Sequence, residues 1–130
     1  YSGVVEYVKT YGDVLHLLTI KSFDNTDAWT SYRIGESFLE TGNTIDAEKY
    51  FKNAFRLTPL HPEFSNKYAT ALSLNNKHNE AMQILEQSIA EYPKFAPSLS
   101  NLGYLVLVTK SDTVAARLLY DRALALDPDY

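Results

Sequence analysis

The sequence predicts an all-α fold: a right-handed α-α superhelix, or solenoid, of three helical hairpins preceded by an N-terminal hairpin. Three observations predict it. The chain resembles itself at a fixed shift, each copy holds two stretches of helical apolar period, and Gly, Asn and Pro punctuate those stretches at matching places. The stretch from Thr30 to Pro59 aligns with that from Phe64 to Pro93 at a shift of 34 (93 − 59). Gly35, Ala69 and Gly103 fall at that interval, as do Phe38, Leu72 and Val106, and Ala47 with Ala81. In the third copy Ala116, Tyr120, Ala123 and Pro128 arrive one residue late, which places a one-residue insertion between Thr109 and Thr113, where a loop is expected to hold it.

Each element follows from this pattern. Ile34 and Phe38, or Leu99, Leu102, Gly103 and Val106, recur at steps of three and four, so the first half of each copy is a helix with one apolar stripe. Ala47, Phe51, Ala54 and Phe55 repeat the behaviour in the second half, followed by Ala81, Leu85, Ser88 and Ile89 and then by Ala116, Tyr120, Ala123 and Leu124. Between the halves, Gly42-Asn43, Asn75-Asn76-Lys77 and Ser111-Asp112-Thr113 tolerate a left-handed helix end and offer an oxygen to cap the next helix. Between copies, Thr58-Pro59-Leu60-His61-Pro62 and Tyr92-Pro93 stop one helix, while Pro62 and Pro97 suit the first turn of the next, where no amide donor is required. Gly35, Ala69 and Gly103, set opposite Ala47, Ala81 and Ala116, let two axes approach closely. Ahead of the repeats, Val4, Val5, Val8 and Tyr11, a Gly12-Asp13 break, and Val14, Leu15, Leu17, Leu18 and Ile20 suggest the leading hairpin, with Phe23 to Asp27 as the turn and cap after it. The expected organisation is one domain over 1–130, with the leading hairpin at 1–27 and repeats at 28–61, 62–95 and 96–130.

The 130 residues are one domain's worth of chain, and 45% hydrophobic with 22% charged residues is a globular balance rather than a disordered one. Sixteen Asp and Glu against 12 Lys and Arg leave a formal charge of −4, the wrong sign for generic phosphate-backbone binding, so no nucleic-acid partner is expected. No apolar run approaches the ~20 residues of a membrane-spanning helix, so no membrane partner is expected either. The absence of Cys removes disulfides, thiolate nucleophiles and Cys-held metal or haem together. The chain opens on Tyr1 rather than Met, as an excised or processed piece would. It stops at Asp127-Pro128-Asp129-Tyr130, where a following helix would begin. The expectation is a cut within a longer protein, or self-association of the last hairpin as a homo-oligomer contact.

Candidate chemistry is sparse. His16, His61 and His78 are scattered with no pair at a metal-ligand spacing, so no metal site and no cofactor are expected. Glu36 with Glu40 and Asp46 with Glu48 are carboxylates of the kind that ordinarily solvate a helix face. No Gly-rich phosphate loop, nucleophile elbow, kinase or zincin motif is present, and the chain reads as not an enzyme.

The residues that carry the repeat also carry a resemblance. Ile34-Gly35, Phe38, Gly42, Ala47, Phe51, Ala54 and Pro59 form one set, and Tyr68-Ala69, Leu72, Ala81, Leu85 and Pro93 a second. Leu102-Gly103, Val106, Ala116, Tyr120, Ala123 and Pro128 complete a third. From about residue 28 to 130 the chain resembles the tetratricopeptide repeat (TPR) family, with Ser31, Ser65, Ser88 and Glu91 departing from its pattern. The resemblance implies a non-catalytic protein- or peptide-binding scaffold whose first helices line a concave groove. Residues 34 apart on those helices then form ladders: Arg33, Lys67 and Asn101; Tyr32, Asn66 and Ser100; Glu36, Thr70 and Tyr104. Trp29 joins them at the rim. Trp29, Tyr32 and Tyr104 are expected off the packing stripe, and the groove is expected to be polar, with Arg33 and Lys67 ready for an acidic peptide. The family's chaperone-tail binders use a carboxylate clamp, but the corresponding positions hold Tyr32 and Glu36, then Lys67, then Pro97 and Asn101, so chaperone C-terminal tails are not expected. The competing reading is a spacer or assembly module of a larger enzyme or electron-transfer protein; a helical-repeat RNA binder has only Arg33 and Lys67 to support it.

Overall fold

A computed structural model of the chain describes residues 27–129, and the hairpin expected ahead of Asp27 lies outside them. The described residues form six helices and no strand: α1 (Ala28–Glu40), α2 (Thr44–Leu57), α3 (Pro62–Leu74), α4 (His78–Glu91), α5 (Ala96–Lys110) and α6 (Thr113–Leu126). The fold is all-α, a succession of helical hairpins in which the leading helices start at Ala28, Pro62 and Ala96. The chain divides into two compact units, Tyr1–Pro59 and Leu60–Tyr130.

The turns inside the hairpins share one solution. Gly42 (φ 81°), Asn76 (φ 64°) and Ser111 (φ 52°) each adopt the left-handed conformation that ends a helix. At the first turn the Asn43 amide donates to the Phe38 carbonyl at 2.9 Å and the Gly42 amide to that of Leu39 at 3.1 Å. Thirty-four residues on, Lys77 donates to Leu72 at 2.8 Å and Asn76 to Ser73 at 3.0 Å, the same paired closure of orphan carbonyls. The inserted residue of the third copy is absorbed by helix and not by the loop, contrary to expectation: α5 has 15 residues where α1 and α3 have 13.

Starts of helices are less uniform than expected. Asp27 caps α1, accepting from the amides of Trp29 at 3.1 Å and Thr30 at 3.3 Å, and Asp112 caps α6 by accepting from Ala115 at 3.0 Å. The other two turns supply no side-chain cap, contrary to expectation. Asn43 donates its amide to Thr41 Oγ1 at 3.0 Å instead, and Lys77 carries no acceptor.

In the first unit α1 and α2 bury Ile34, Phe38, Ala47, Phe51 and Ala54. Gly35 allows the closest approach, but the group it admits is the Phe51 ring rather than Ala47. A Cβ at position 35 would lie 2.7 Å from Phe51 Cδ1. Asn53 donates to Ser31 Oγ at 2.7 Å, tying the helices through a wholly buried hydroxyl. Tyr32 corrects the sequence reading: it is 8% exposed, its ring 5.8 Å from that of Phe51, because the turn of helix carrying Ile34 and Gly35 also brings position 32 over α2.

In the second unit α3 pairs with α4 and α5 with α6, and both α3 and α4 also meet α5. Phe64, Leu72, Leu85 and Leu99 are almost wholly buried. Ala96, Leu99 and Ala123 form a cluster against which Ile89 and Leu119 pack. Gly103 faces α6 as expected: a Cβ at this position would lie 3.2 Å from Tyr120 Cε1 and 3.3 Å from the Ala116 carbonyl oxygen. Ser88 and Ser98 bury hydroxyls with no partner among the described residues.

Candidate functional site

The site is assembled where α3 and α5 lie side by side. Both begin with Pro near the first turn, and their shared 34-residue spacing puts Lys67 level with Asn101, Thr70 with Tyr104, and Leu74 with Val108. Asn101 Nδ2 donates to Asn66 Oδ1 at 2.8 Å, a direct bridge between the two helices. Thr70 Oγ1 turns back to the Asn66 carbonyl at 2.9 Å, which settles the hydroxyl against its own helix. The bridge leaves the acceptor oxygen of Asn101 and the amide hydrogens of Asn66 without another partner among the described residues.

Beside the bridge a groove of about 220 Å³ opens, walled by Ala69, Thr70, Ser73 and Leu74 of α3, Leu85 of α4, and Asn101, Tyr104 and Leu105 of α5. Ser73 Oγ meets Nδ1 of His78 at 3.3 Å, joining the end of α3 to the start of α4. Of the expected site residues, Thr70, Asn101 and Tyr104 line this groove, and Asn66 is bonded to it. Tyr104 is 55% exposed. Lys67 lies one turn before Thr70 and Ala71 on α3, half-buried; Ser100 is half-buried and is not among the groove's lining.

In the other unit, Trp29 is 46% exposed and meets Tyr32 edge-on at 5.4 Å between ring centres. Tyr32 is committed to the core, Arg33 is exposed and Glu36 half-buried. Neither Arg33 nor Lys67 forms an ion pair with a described residue. The expected polar groove needs correction: Leu74, Leu85, Tyr104 and Leu105 make its lower half apolar. The signal was present in the ladder of Leu74 and Val108, 53% and 48% exposed, which sequence reasoning passed over in favour of the polar ladders. Among the described residues no group of three or more His, Cys, Asp or Glu could hold a metal ion, and no helix is long and apolar enough to cross a membrane.

Helical hairpins of this length, closed by left-handed turns and, within the second unit, meeting through α3 and α5, define the chain as a helical-repeat protein. A family model described as tetratricopeptide repeat matches residues 38–102. The chain is 30% identical over 95 residues to the Hsp70-Hsp90 organizing protein of Triticum aestivum, an alignment covering 72% of this chain and 16% of that protein. Among solved structures it is similar to MamA, with a TM-score of 0.82 at 18% identity, covering 96% of this chain and 77% of MamA. It is similar too to the first TPR of Spaghetti (RPAP3) bound to the HSP90 peptide SRMEEVD, with a TM-score of 0.73 at 19% identity over 82% of this chain and 84% of that one. The chain belongs to the tetratricopeptide repeat family. It spans about a sixth of the length of its wheat relative.

Proposed function

We propose that the chain is a non-catalytic scaffold of repeats 28–61, 62–95 and 96–130 that binds a protein or peptide against its leading helices. The observation that carries this reading is the Asn66–Asn101 bridge, which sets two leading helices edge to edge with an open, amphiphilic groove beside it. The groove combines amide donors and acceptors suited to a peptide backbone with an apolar floor for a side chain, as peptide-recognising surfaces do. The structural relative bound to an HSP90 peptide supports a peptide ligand as a class. The clamp positions hold Tyr32, Glu36, Lys67, Pro97 and Asn101, so a different peptide is proposed, with Arg33 and Lys67 meeting acidic residues. Replacing both Arg33 and Lys67 by Glu should weaken an acidic partner about tenfold or more with helicity retained. Affinity capture with the parent and the double variant side by side reads this out, and unchanged capture would refute the assignment.

A second reading is favoured by α6, whose Val114 and Leu118 are 70% and 62% exposed. In it the chain is an assembly module that self-associates through its last hairpin. Sedimentation of the chain across a range of concentrations tests it; a strictly monomeric species removes it.

A further inference from the structure

The groove has two chemically different ends, and their separation specifies a ligand. Lys67, Thr70 and Leu74 stand at i, i+3 and i+7, so they share one face of α3. On α5, Asn101, Tyr104 or Leu105, and Val108 keep the same order. Polar groups therefore meet at the upper end and apolar ones at the lower. Past the first turn of α3, Lys67 is its only charge, and α5 has none before its final residue, Lys110. No described carboxylate pairs with Lys67. By contrast α4 carries Glu80, Glu86 and Glu91 and no Lys or Arg, so apart from Lys77 in the turn the hairpin's lysine and arginine charge lies on the groove side, at Lys67. An anionic group is what complements it.

Size decides the other end. About 220 Å³ is below the ~300 to 1,000 Å³ typical of small-molecule sites and matches one large aliphatic or aromatic side chain. The 2.8 Å amide bridge closes α3 onto α5, so a ligand helix, ~10 Å wide or more with its side chains, has no room to enter between them. An extended segment does, and it offers backbone groups to Asn66 and Asn101. Positions 67 and 74 are seven residues apart, about 10 Å of rise at ~1.5 Å per residue, which a polyproline-II-like extended chain covers in about three residues at ~3.1 Å each, one turn of that conformation, so that side chains three apart face the same side.

We propose that the groove between α3 and α5 selects an extended peptide in which an acidic side chain and a large apolar side chain are separated by two residues, the acid meeting Lys67 and the apolar group entering between Leu74, Leu85, Tyr104 and Leu105. The selection rests on the reading of this site as a peptide groove. The test uses the full chain and end-blocked, fluorescent Gly/Ser peptides in which Glu and Leu are separated by no, one, two, three or five serines. Anisotropy reports affinity, and amide NMR signals of Thr70, Asn101 and Tyr104 report location. Binding is expected to be tightest at two serines. Lys67→Glu should weaken that peptide about fivefold or more and strengthen the matching peptide with Lys in place of Glu, while Tyr104→Ser should weaken both. Circular dichroism checks the variants, and Lys67→Gln replaces Lys67→Glu if the latter loses helicity. Groove signals that move equally for every spacing, or binding indifferent to the Lys67 variants, would overturn the proposed selection and leave the peptide groove standing. Peptides that move no groove signal would overturn both.

Discussion

Gly35→Ala is the most direct probe of how closely the two helices of a hairpin approach. The new methyl would sit 2.7 Å from Phe51 Cδ1 and 2.8 Å from Cε1, closer than carbon atoms approach without displacement. Phe51 has no exposed surface, and the Tyr32 ring stands 5.8 Å away, so the Phe51 ring has little room to swing without moving a second aromatic. Overpacking of this kind costs about 1 to 3 kcal/mol. The helix-propensity gain of Ala over Gly returns about 1 kcal/mol, so the net loss should be about 0 to 2 kcal/mol, with the coupling to Phe51 present throughout that range. Gly103→Ala is the control: its nearest atoms are at 3.2 and 3.3 Å, and Tyr120 is only half-buried, so a shift of a few tenths of an ångström suffices. There the two effects should cancel to within ~0.5 kcal/mol. Urea unfolding followed by circular dichroism measures both, and a cycle with Phe51→Leu isolates the clash. A Gly35→Ala chain as stable as its parent, with no coupling to position 51, would refute the close approach.

The buried hydroxyls should respond oppositely to loss of a partner. Ser98→Ala removes a wholly buried hydroxyl that has none and should stabilise by about 1 kcal/mol, whereas Asn53→Ala strands Ser31 Oγ and should cost about 1 to 3 kcal/mol, both by urea unfolding. Asp112→Ala should cost about 1 kcal/mol by removing the cap of α6, while Asn43→Ala, which breaks no helix cap, should cost less than ~0.5 kcal/mol on the same assay. Burial, with Asp46 adding to it, raises the Tyr50 phenol above its ordinary value of 10.0. The folded chain therefore keeps this proton longer than the unfolded one. The contribution is complete below about pH 10 and lost as pH climbs through the raised folded-state value, so Tyr50→Phe should flatten the alkaline decline of stability.

Period and packing stripe were legible because burial demands them of every copy. Gly35, Ala69 and Gly103 announce close helix approach, and Gly42, Asn76 and Ser111 announce left-handed turns, whatever their surroundings. What escaped depends on choices between near-equivalent partners. Nothing in the one-dimensional pattern says that Asn43 will bond Thr41 rather than cap α2, or that Tyr32 will lie over Phe51 when its ladder mates Asn66 and Ser100 are half-buried. Phe64, buried and stacked on His61 at 4.2 Å, also escaped, because its equivalent in the next copy is Ser98 and the repeat comparison gave no reason to single it out.

The same contrast explains why the groove is read from mismatches rather than matches. A solenoid needs similar residues at its packing positions, since each hairpin meets its neighbour through the same contacts. Groove positions carry no such demand. Along the ladders of α3 and α5, Lys67 stands in register with Asn101 and Thr70 with Tyr104, so these two rungs pair unlike groups. Two identical helices would present a surface on which a peptide could shift by one repeat at little cost. A lysine on one helix and an exposed tyrosine on the other remove that degeneracy. Departures from the 34-residue pattern on this face, at positions 67 and 104 above all, are therefore where a choice among ligands can be encoded without disturbing the packing beneath.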